Sequence, residues 1–408
     1  MGRPTDAEGV AMTDVRDQYA DYRDPFYSQI GERFETFEEM RRRGPAFRQD
    51  GNAVVTTTRA AAERVYRNPQ IYTSKFGPIG GAHRPLIPIE VDPPDHKTYR
   101  KLFDPMFAPR TIAALEPTIR STVNELIDGF IDDGGCVFDE AFAVPLPTRV
   151  FLTLMGLPLD DATELLEFKD GILRPGFREG IDLADKEAVD RVNQAIVRRT
   201  YTYFQELIDD RRRGVRRDDV MQQVIEGEVD GRRLMDEEII DACFLLLIAG
   251  LDTITNSLTL FYTQFANRPD LRHEIASNPA AIPSAVEELL RWETPTPQVF
   301  RVAAVDDDLC GFPVKAGDFI IVDIGAANTD PAFQADAGEL DFEREPNPHF
   351  SFTGGIHRCS GSHLARQELR IALAEWHQRI PDYRIPPGTE LVWPPGLRSV
   401  ENLVLRWD

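Results

Sequence analysis

The sequence predicts a mainly α-helical protein with small β-sheets, the α+β class. Three observations carry this. Apolar residues recur at helical spacing through most of residues 108–278, with Gly/Pro breaks such as Gly134-Gly135, Pro175-Gly176 and Gly214 between helices. Short strand-like runs bounded by Gly and Pro cluster in the N-terminal fifth and the C-terminal quarter. No repeat, low-complexity tract or linker divides the 408 residues, so one domain over 1–408 is expected, with 1–23 a flexible N-terminal segment.

In chain order, residues 16–43 are charged with aromatics at intervals and read as a lead-in segment and a first helix. Residues 46–56 read as a β-hairpin turning at Asp50-Gly51. A short helix follows over 59–67. The stretch 73–91 holds Pro78, Gly80, Gly81, Pro85 and Pro88; it is too long for a mere connector and reads as a functional lid. Asp92-Pro93-Pro94-Asp95-His96 opens a helix through Leu102, with the prolines where a helix start tolerates them. Residues 228–232 form a small hairpin. Strands and turns return over 303–322 and over 391–407, the latter around Pro394-Pro395-Gly396.

Composition excludes several classes. Hydrophobic residues at 42% and charged residues at 28% suit a soluble globular chain. A formal net charge of -22 leaves no basic surplus for phosphates, so nucleic-acid binding is not expected. Cys136, Cys243, Cys310 and Cys359 lie far apart with no CxxC spacing. That argues against a zinc site or a disulfide scaffold and suits the cytoplasm. Residues 1–24 lack an apolar core, so no signal peptide is expected. The longest apolar run, 242–251, is half of the roughly twenty residues a membrane span needs.

Four stretches carry chemistry. In Phe352-Thr353-Gly354-Gly355-Ile356-His357-Arg358-Cys359-Ser360-Gly361, a cysteine stands on a Gly-containing loop before an amphipathic helix. The helix N-terminus and Arg358 favour a thiolate there, as nucleophile or metal ligand; the plain alternative is a buried thiol in a turn. In Ala249-Gly250-Leu251-Asp252-Thr253, an acid and an alcohol interrupt an apolar helix spanning 236–266. Thr253 can bond back to the Ala249 carbonyl and, with Gly250, open a notch; the alternative is a polar kink against water. Glu288 and Arg291 share a helix face, most simply as a surface ion pair. His96 and Arg100 lie four apart on one face, as an anion site or a solvated basic face.

Together these stretches resemble the cytochrome P-450 haem-thiolate monooxygenases. The family loop Phe-Gly-x-Gly-x-His/Arg-x-Cys-x-Gly matches 352–361, except that Thr353 replaces the first glycine. Ala249-Gly250-Leu251-Asp252-Thr253 is similar to the oxygen-activating helix motif, and Glu288 to Arg291 to the Glu-x-x-Arg motif. Leu86-Ile87-Pro88, Asp92-Pro93-Pro94 and the final Trp407-Asp408 look most like soluble bacterial members such as the camphor hydroxylases. The tyrosine that holds camphor would fall near Arg84, where no tyrosine stands.

The resemblance implies a haem between a long central helix and the helix after the cysteine loop. Cys359 would be the axial ligand of a haem b iron, with Phe352 packed near the sulfur and backbone N–H groups, Gly361 among them, tuning it. His96, Arg100, Arg301 and His357 would take the propionates. Asp252 and Thr253 would deliver protons to dioxygen. Glu288, Arg291 and Arg344 would form a structural network. Leu86, Ile87, Leu245, Ile248, Ala249, Thr296, Val299 and Leu397 would line the substrate pocket, with His83, Arg84 and Arg398 as charged neighbours. The implied activity is hydroxylation of a small, mainly apolar molecule, terpenoid-like first, then steroid or aromatic, using O2. Two electrons would come from NAD(P)H through ferredoxin and its reductase, received by a monomer. Two rival readings are a peroxide-driven haem-thiolate enzyme and a non-catalytic haem sensor or carrier.

Overall fold

The computed structural model describes residues 32–49, 51–177, 179–394 and 396–408. The expected flexible segment 1–23, the hairpin's Asp50 and the turn's Pro395 lie outside the described residues. Ten helices position the site. They are α1 (Glu32–Arg42), α2 (Arg59–Arg67), α3 (Asp95–Phe103), α4 (Glu116–Asp128), α5 (Pro145–Met155), α6 (Ala162–Leu173), α7 (Lys186–Arg213), α8 (Asp236–Asn267), α9 (Ile282–Glu293) and α10 (Ser362–Arg379).

Strands from both ends of the chain meet in one five-stranded sheet. It comprises β1 (Ala46–Arg48), β2 (Ala53–Thr56), β3 (Tyr72–Thr73), β4 (Gln298–Ala303) and β5 (Phe319–Asp323), in the order β1-β2-β5-β4-β3. β2 and β5 run parallel, with Val54 opposite Ile320; the other pairs are antiparallel. Small hairpins pair Glu228–Val229 with Arg232–Arg233 and Asp307–Leu309 with Phe312–Val314. Val404–Arg406, near the C-terminus, pairs with Gly135–Val137. The strands expected at the two ends are therefore partners of each other.

α8 runs 32 residues, about 48 Å at 1.5 Å per residue, and packs against α5, α6, α7, α9 and α10. Its first turn is fixed by Glu238, whose carboxylate accepts the Met235 N–H at 2.8 Å. Beyond its midpoint, Thr253, Thr255, Ser257 and Thr263 each donate to the carbonyl four residues back, which satisfies hydroxyls inside a buried helix. The apolar core changes at this midpoint. Residues up to Leu251 pack with α5, α6, α7 and the lid stretch. From Ile254 on, α8 packs with α4, α9 and α10 around Phe138, Tyr262 and Trp376. Asp252 and Thr253 stand at the seam. Among the described residues, no helix is long and apolar enough to cross a membrane.

Candidate active site

The cysteine loop is shaped by close approaches. At Gly355, φ is +65°, and a Cβ would lie 2.0 Å from the Tyr66 carbonyl oxygen, so only glycine fits. Thr353 also adopts a left-handed φ of 57°, a region that favours the glycine of the family pattern. Its Oγ1 donates to the His357 carbonyl at 2.8 Å and its N–H to the Phe350 carbonyl at 2.6 Å, which offsets the strain. The Cys359 N–H donates to the Phe352 carbonyl at 3.0 Å. Cys359 is exposed by area, yet protein crowds its sulfur enough that burial pushes the thiol up. The Gly361 N–H, then Arg100, Arg366 and Arg358, act in the opposite direction and favour the thiolate.

Beside the loop lies a concentration of basic groups. His96 on α3 and His357 on the loop lie with ring centroids 4.3 Å apart, their planes tilted by 57°. His96 Nε2 is buried without a partner. His357 Nε2 pairs with Ser74 Oγ at 2.9 Å. Arg301 on β4 is 7% exposed and donates to the Phe300 carbonyl. Burial, Arg301, His96 and Arg100 push His357 down to about 2; burial and then Arg100 lower His96; burial lowers Arg301. Among the described residues no carboxylate hydrogen-bonds to any of these three side chains. A site this basic is built for an anion. Two propionate carboxylates fit it, and one would satisfy the orphaned His96 nitrogen. Arg100 is differently engaged, with Asp104 at 2.8 Å and the Arg358 carbonyl at 2.9 Å, and so braces the cysteine loop.

The facing wall is α8. On this otherwise buried helix Ala249 is exposed and Gly250 and Thr253 are half-buried, a bare patch one turn long. Thr253 Oγ1 donates to the Ala249 carbonyl at 3.0 Å, as its spacing predicts. Asp252 is 1% exposed and fully engaged. It accepts from Arg174 at 2.9 and 2.8 Å, from Lys169 at 3.1 Å and from Asn256 at 3.0 Å. Burial pushes this carboxyl up, but Lys169 and then Arg174 outweigh it and hold Asp252 below the usual carboxylate range. Asp252 is therefore ionised, not a standing acid. Lys169 and Arg174 were missed in the sequence because they lie 83 and 78 residues away, with no local pattern. Asn256, at i+4, was within reach of a helical reading.

The apolar lining is partly gathered. Leu86, Ile87 and Ile248 are buried in one cluster with Leu245 packed against it. Thr296, Val299 and Leu397 are half-buried. The lid stretch is held closed. Glu90 Oε2 accepts the N–H groups of Leu86 and Ile79, and burial pushes this carboxyl up to about 7. One amide, Asn193 Nδ2 on α7, donates to the carbonyls of Gly80 in the lid and Gly171 in α6, at 3.2 and 3.3 Å. Two expected charged neighbours of the substrate turn elsewhere. Arg84 grips Asp241 at 2.9 and 3.1 Å, and Arg398 is buried against Glu293. Each follows the nearer carboxylate. His83 stacks on Tyr201 at 4.5 Å.

Glu288 and Arg291 are both 0% exposed, which removes the surface-pair reading. Two 2.7 Å bonds join them, and Arg344 Nε reaches Glu288 at 3.0 Å. The remaining donors of both arginines hold backbone carbonyls at 328, 336, 337 and 339 and the Asp336 carboxylate.

Residues 281–393 match the family model described as cytochrome P450. "Probable cytochrome P450 127A1" of Sinorhizobium fredii is 32% identical over 369 residues, covering 89% of this chain and 86% of that one. "Mycinamicin IV hydroxylase/epoxidase" of Micromonospora griseorubida is 34% identical, covering 78% and 79%. Among solved structures, that of CYP109E1 from Bacillus megaterium in complex with testosterone superposes with a TM-score of 0.84 at 27% identity, covering 92% of this chain and 97% of that one.

Proposed function

The chain belongs to the cytochrome P450 family, and from that premise we propose that it hydroxylates a small, mainly apolar organic molecule at a site walled by the Cys359 loop and by the Thr253 patch of α8. Members of the family use haem b and take electrons from NAD(P)H through redox partners. The bound haem supplies activation of dioxygen and insertion of one oxygen atom into a C–H bond. The observation that carries the reading is the basic cluster of His96, Arg301 and His357, to which no carboxylate hydrogen-bonds among the described residues, beside Cys359.

The chain's own residues divide the work. Cys359 ligates iron as thiolate, with the Gly361 N–H directed at its sulfur and Phe352 packed behind the loop. His96, Arg301 and His357 take the propionates, and Arg100 ties that cluster to the loop. Thr253 Oγ1 holds a water and passes a proton at the bare patch of α8. Asp252, held ionised by Lys169 and Arg174, takes a proton from water when that ion-pair grip opens and hands it on toward Thr253. Leu86, Ile87, Leu245, Ile248 and Ala249, with Thr296, Val299 and Leu397, exclude water and orient the substrate. A terpenoid-like or steroid skeleton suits this lining, and testosterone in one relative is such a skeleton.

For electrons, Lys97, Arg100 and Lys101 rim a surface hollow near the exposed Arg358. A local basic rim on a chain of net charge -22 steers an acidic ferredoxin, and the reading is of a monomeric cytoplasmic enzyme. The test is a Soret titration of the haem-loaded protein against terpenoids, steroids, fatty acids and aromatic acids. A shift from low to high spin, followed by hydroxylated product with NAD(P)H, ferredoxin and reductase, is the expected result. Turnover with peroxide and none with NAD(P)H, ferredoxin and reductase would overturn it, as would a ferrous–CO spectrum without the red-shifted thiolate band.

A further inference from the structure

Glu287 precedes Glu288 on α9 but joins a different set of partners. Its carboxylate accepts from Arg366 Nε at 2.7 Å and Nη2 at 2.8 Å, a bidentate grip. His349 Nε2 lies 3.2 Å away and Arg370 Nη2 3.5 Å away. His349 Nδ1 accepts the Ser351 N–H at 3.2 Å, so its ring proton sits on Nε2 and is donated to Glu287. Burial keeps that imidazole neutral, so Arg366 is the main countercharge of Glu287.

Arg366 stands on the first turns of α10, directly after the cysteine loop. Its guanidinium carbon lies 4.3 Å from the centroid of the Phe352 ring, a cation–π contact. His349 lies 5.9 Å from the same ring. The Phe352 carbonyl in turn accepts the Cys359 N–H at 3.0 Å. Arg366 and Glu287 side chains are only 17% and 23% exposed, so water screens their charges weakly. Glu287, Arg366, Phe352 and Cys359 thus form one continuous path that ends at the Cys359 N–H.

We propose that Arg366, gripped by Glu287, is a positioning residue that raises the reduction potential of the Cys359-ligated cofactor by holding a positive charge on the face of Phe352. The proposal rests on Cys359 being the ligand. Adding an electron to the site is favoured by a nearby cation and opposed by a nearby anion. Arg366 and Glu287 therefore act with opposite signs, and the guanidinium on the ring face has the larger effect. Arg366 also fixes the plane of Phe352 and, through its carbonyl, the Cys359 N–H.

The experiment is spectroelectrochemical titration of the haem-loaded wild type, Arg366→Gln, Arg366→Lys and Glu287→Gln, with thermal midpoints alongside. Arg366→Gln is expected to weaken reduction about tenfold, about 59 mV for one electron. Glu287→Gln should shift the potential upward by less, and Arg366→Lys should retain most of the wild-type value. Wild-type potentials in all three, with only the thermal midpoint lowered, would overturn the proposal and leave Arg366 a packing residue. Should Arg366→Gln fail to take up haem, the opposite-signed shift of Glu287→Gln and the retention by Arg366→Lys decide the matter. A wild type lacking the thiolate ferrous–CO band would instead remove the ligand assignment itself.

Discussion

The wall that carries Cys359 and the wall that carries Thr253 are assembled in opposite ways. The first is largely one loop, 352–361, whose shape comes from its own left-handed residues and from bonds spanning four to seven positions. The second is a long helix on which Asp252, the buried acid beside Thr253, is held by side chains 78 and 83 residues upstream. Two buried carboxylates sharpen the contrast. Asp252, with two cations on it, stays ionised. Glu368 on α10 has an unpartnered Oε2 and no charged neighbour acting on it, and burial pushes it up to about 8. Burial alone does not fix a carboxylate's state; its partners do.

The largest expected effect lies behind the cysteine wall. Glu288→Ala leaves the Arg291 guanidinium buried with no carboxylate and Arg344 with only Asp336, and should cost about 3–5 kcal/mol. The measurement is the yield of soluble, haem-loaded protein and its denaturation midpoint; a near-wild-type midpoint would show that the network is dispensable. On the facing wall, Asp252→Asn should slow turnover about 10²-fold and enlarge the solvent deuterium isotope effect. The substrate-induced spin shift should persist, since Asp252 lies outside the lining. If turnover is unchanged, protons reach Thr253 without it.

Glu368 gives a pH test. Its folded value of about 8 exceeds the ordinary 4.5, so between these values the folded state keeps a proton that the unfolded chain releases. Stability is full below about pH 4.5 and falls as pH rises toward about 8. Glu368→Gln should therefore match the wild type below about pH 4.5 and exceed it by several kcal/mol, up to about 5, near pH 8.5, read from denaturant midpoints. A pH-independent difference would mean that Glu368 is ionised at neutral pH. The smallest effect belongs to Thr353→Gly. Relief of left-handed strain, about 1 kcal/mol, is offset by loss of the bond to the His357 carbonyl, also about 1 kcal/mol. The midpoint should move by only a few degrees.

This contrast also explains which parts were legible in the sequence. The cysteine loop, the α8 motif and the Glu288–Arg291 spacing are local, so their chemistry can be read where it is written. The sheet was legible as strands but not as pairs, because β2 and β5 are joined across most of the chain. Lys169 and Arg174 carry no signal of their own near Asp252. Glu287 and Glu288 are neighbours in sequence, yet successive residues on a helix point about 100° apart, so one serves Arg291 and the other Arg366. The carboxylates that hold Arg84 and Arg398, Asp241 and Glu293, come from other elements, so no local pattern announces them. Thr353 is explained only by its backbone angle, which no residue pattern states.

Asn193 gives the roof over the site a kinetic character. One side-chain amide bridges Gly80 in the 73–91 stretch and Gly171 in α6, so lifting that stretch away from α7 breaks a buried hydrogen bond. If ligands enter by that route, breaking this bond is a step common to all of them. Chemically unrelated ligands should share one ceiling on their association rate and differ chiefly in how long they stay.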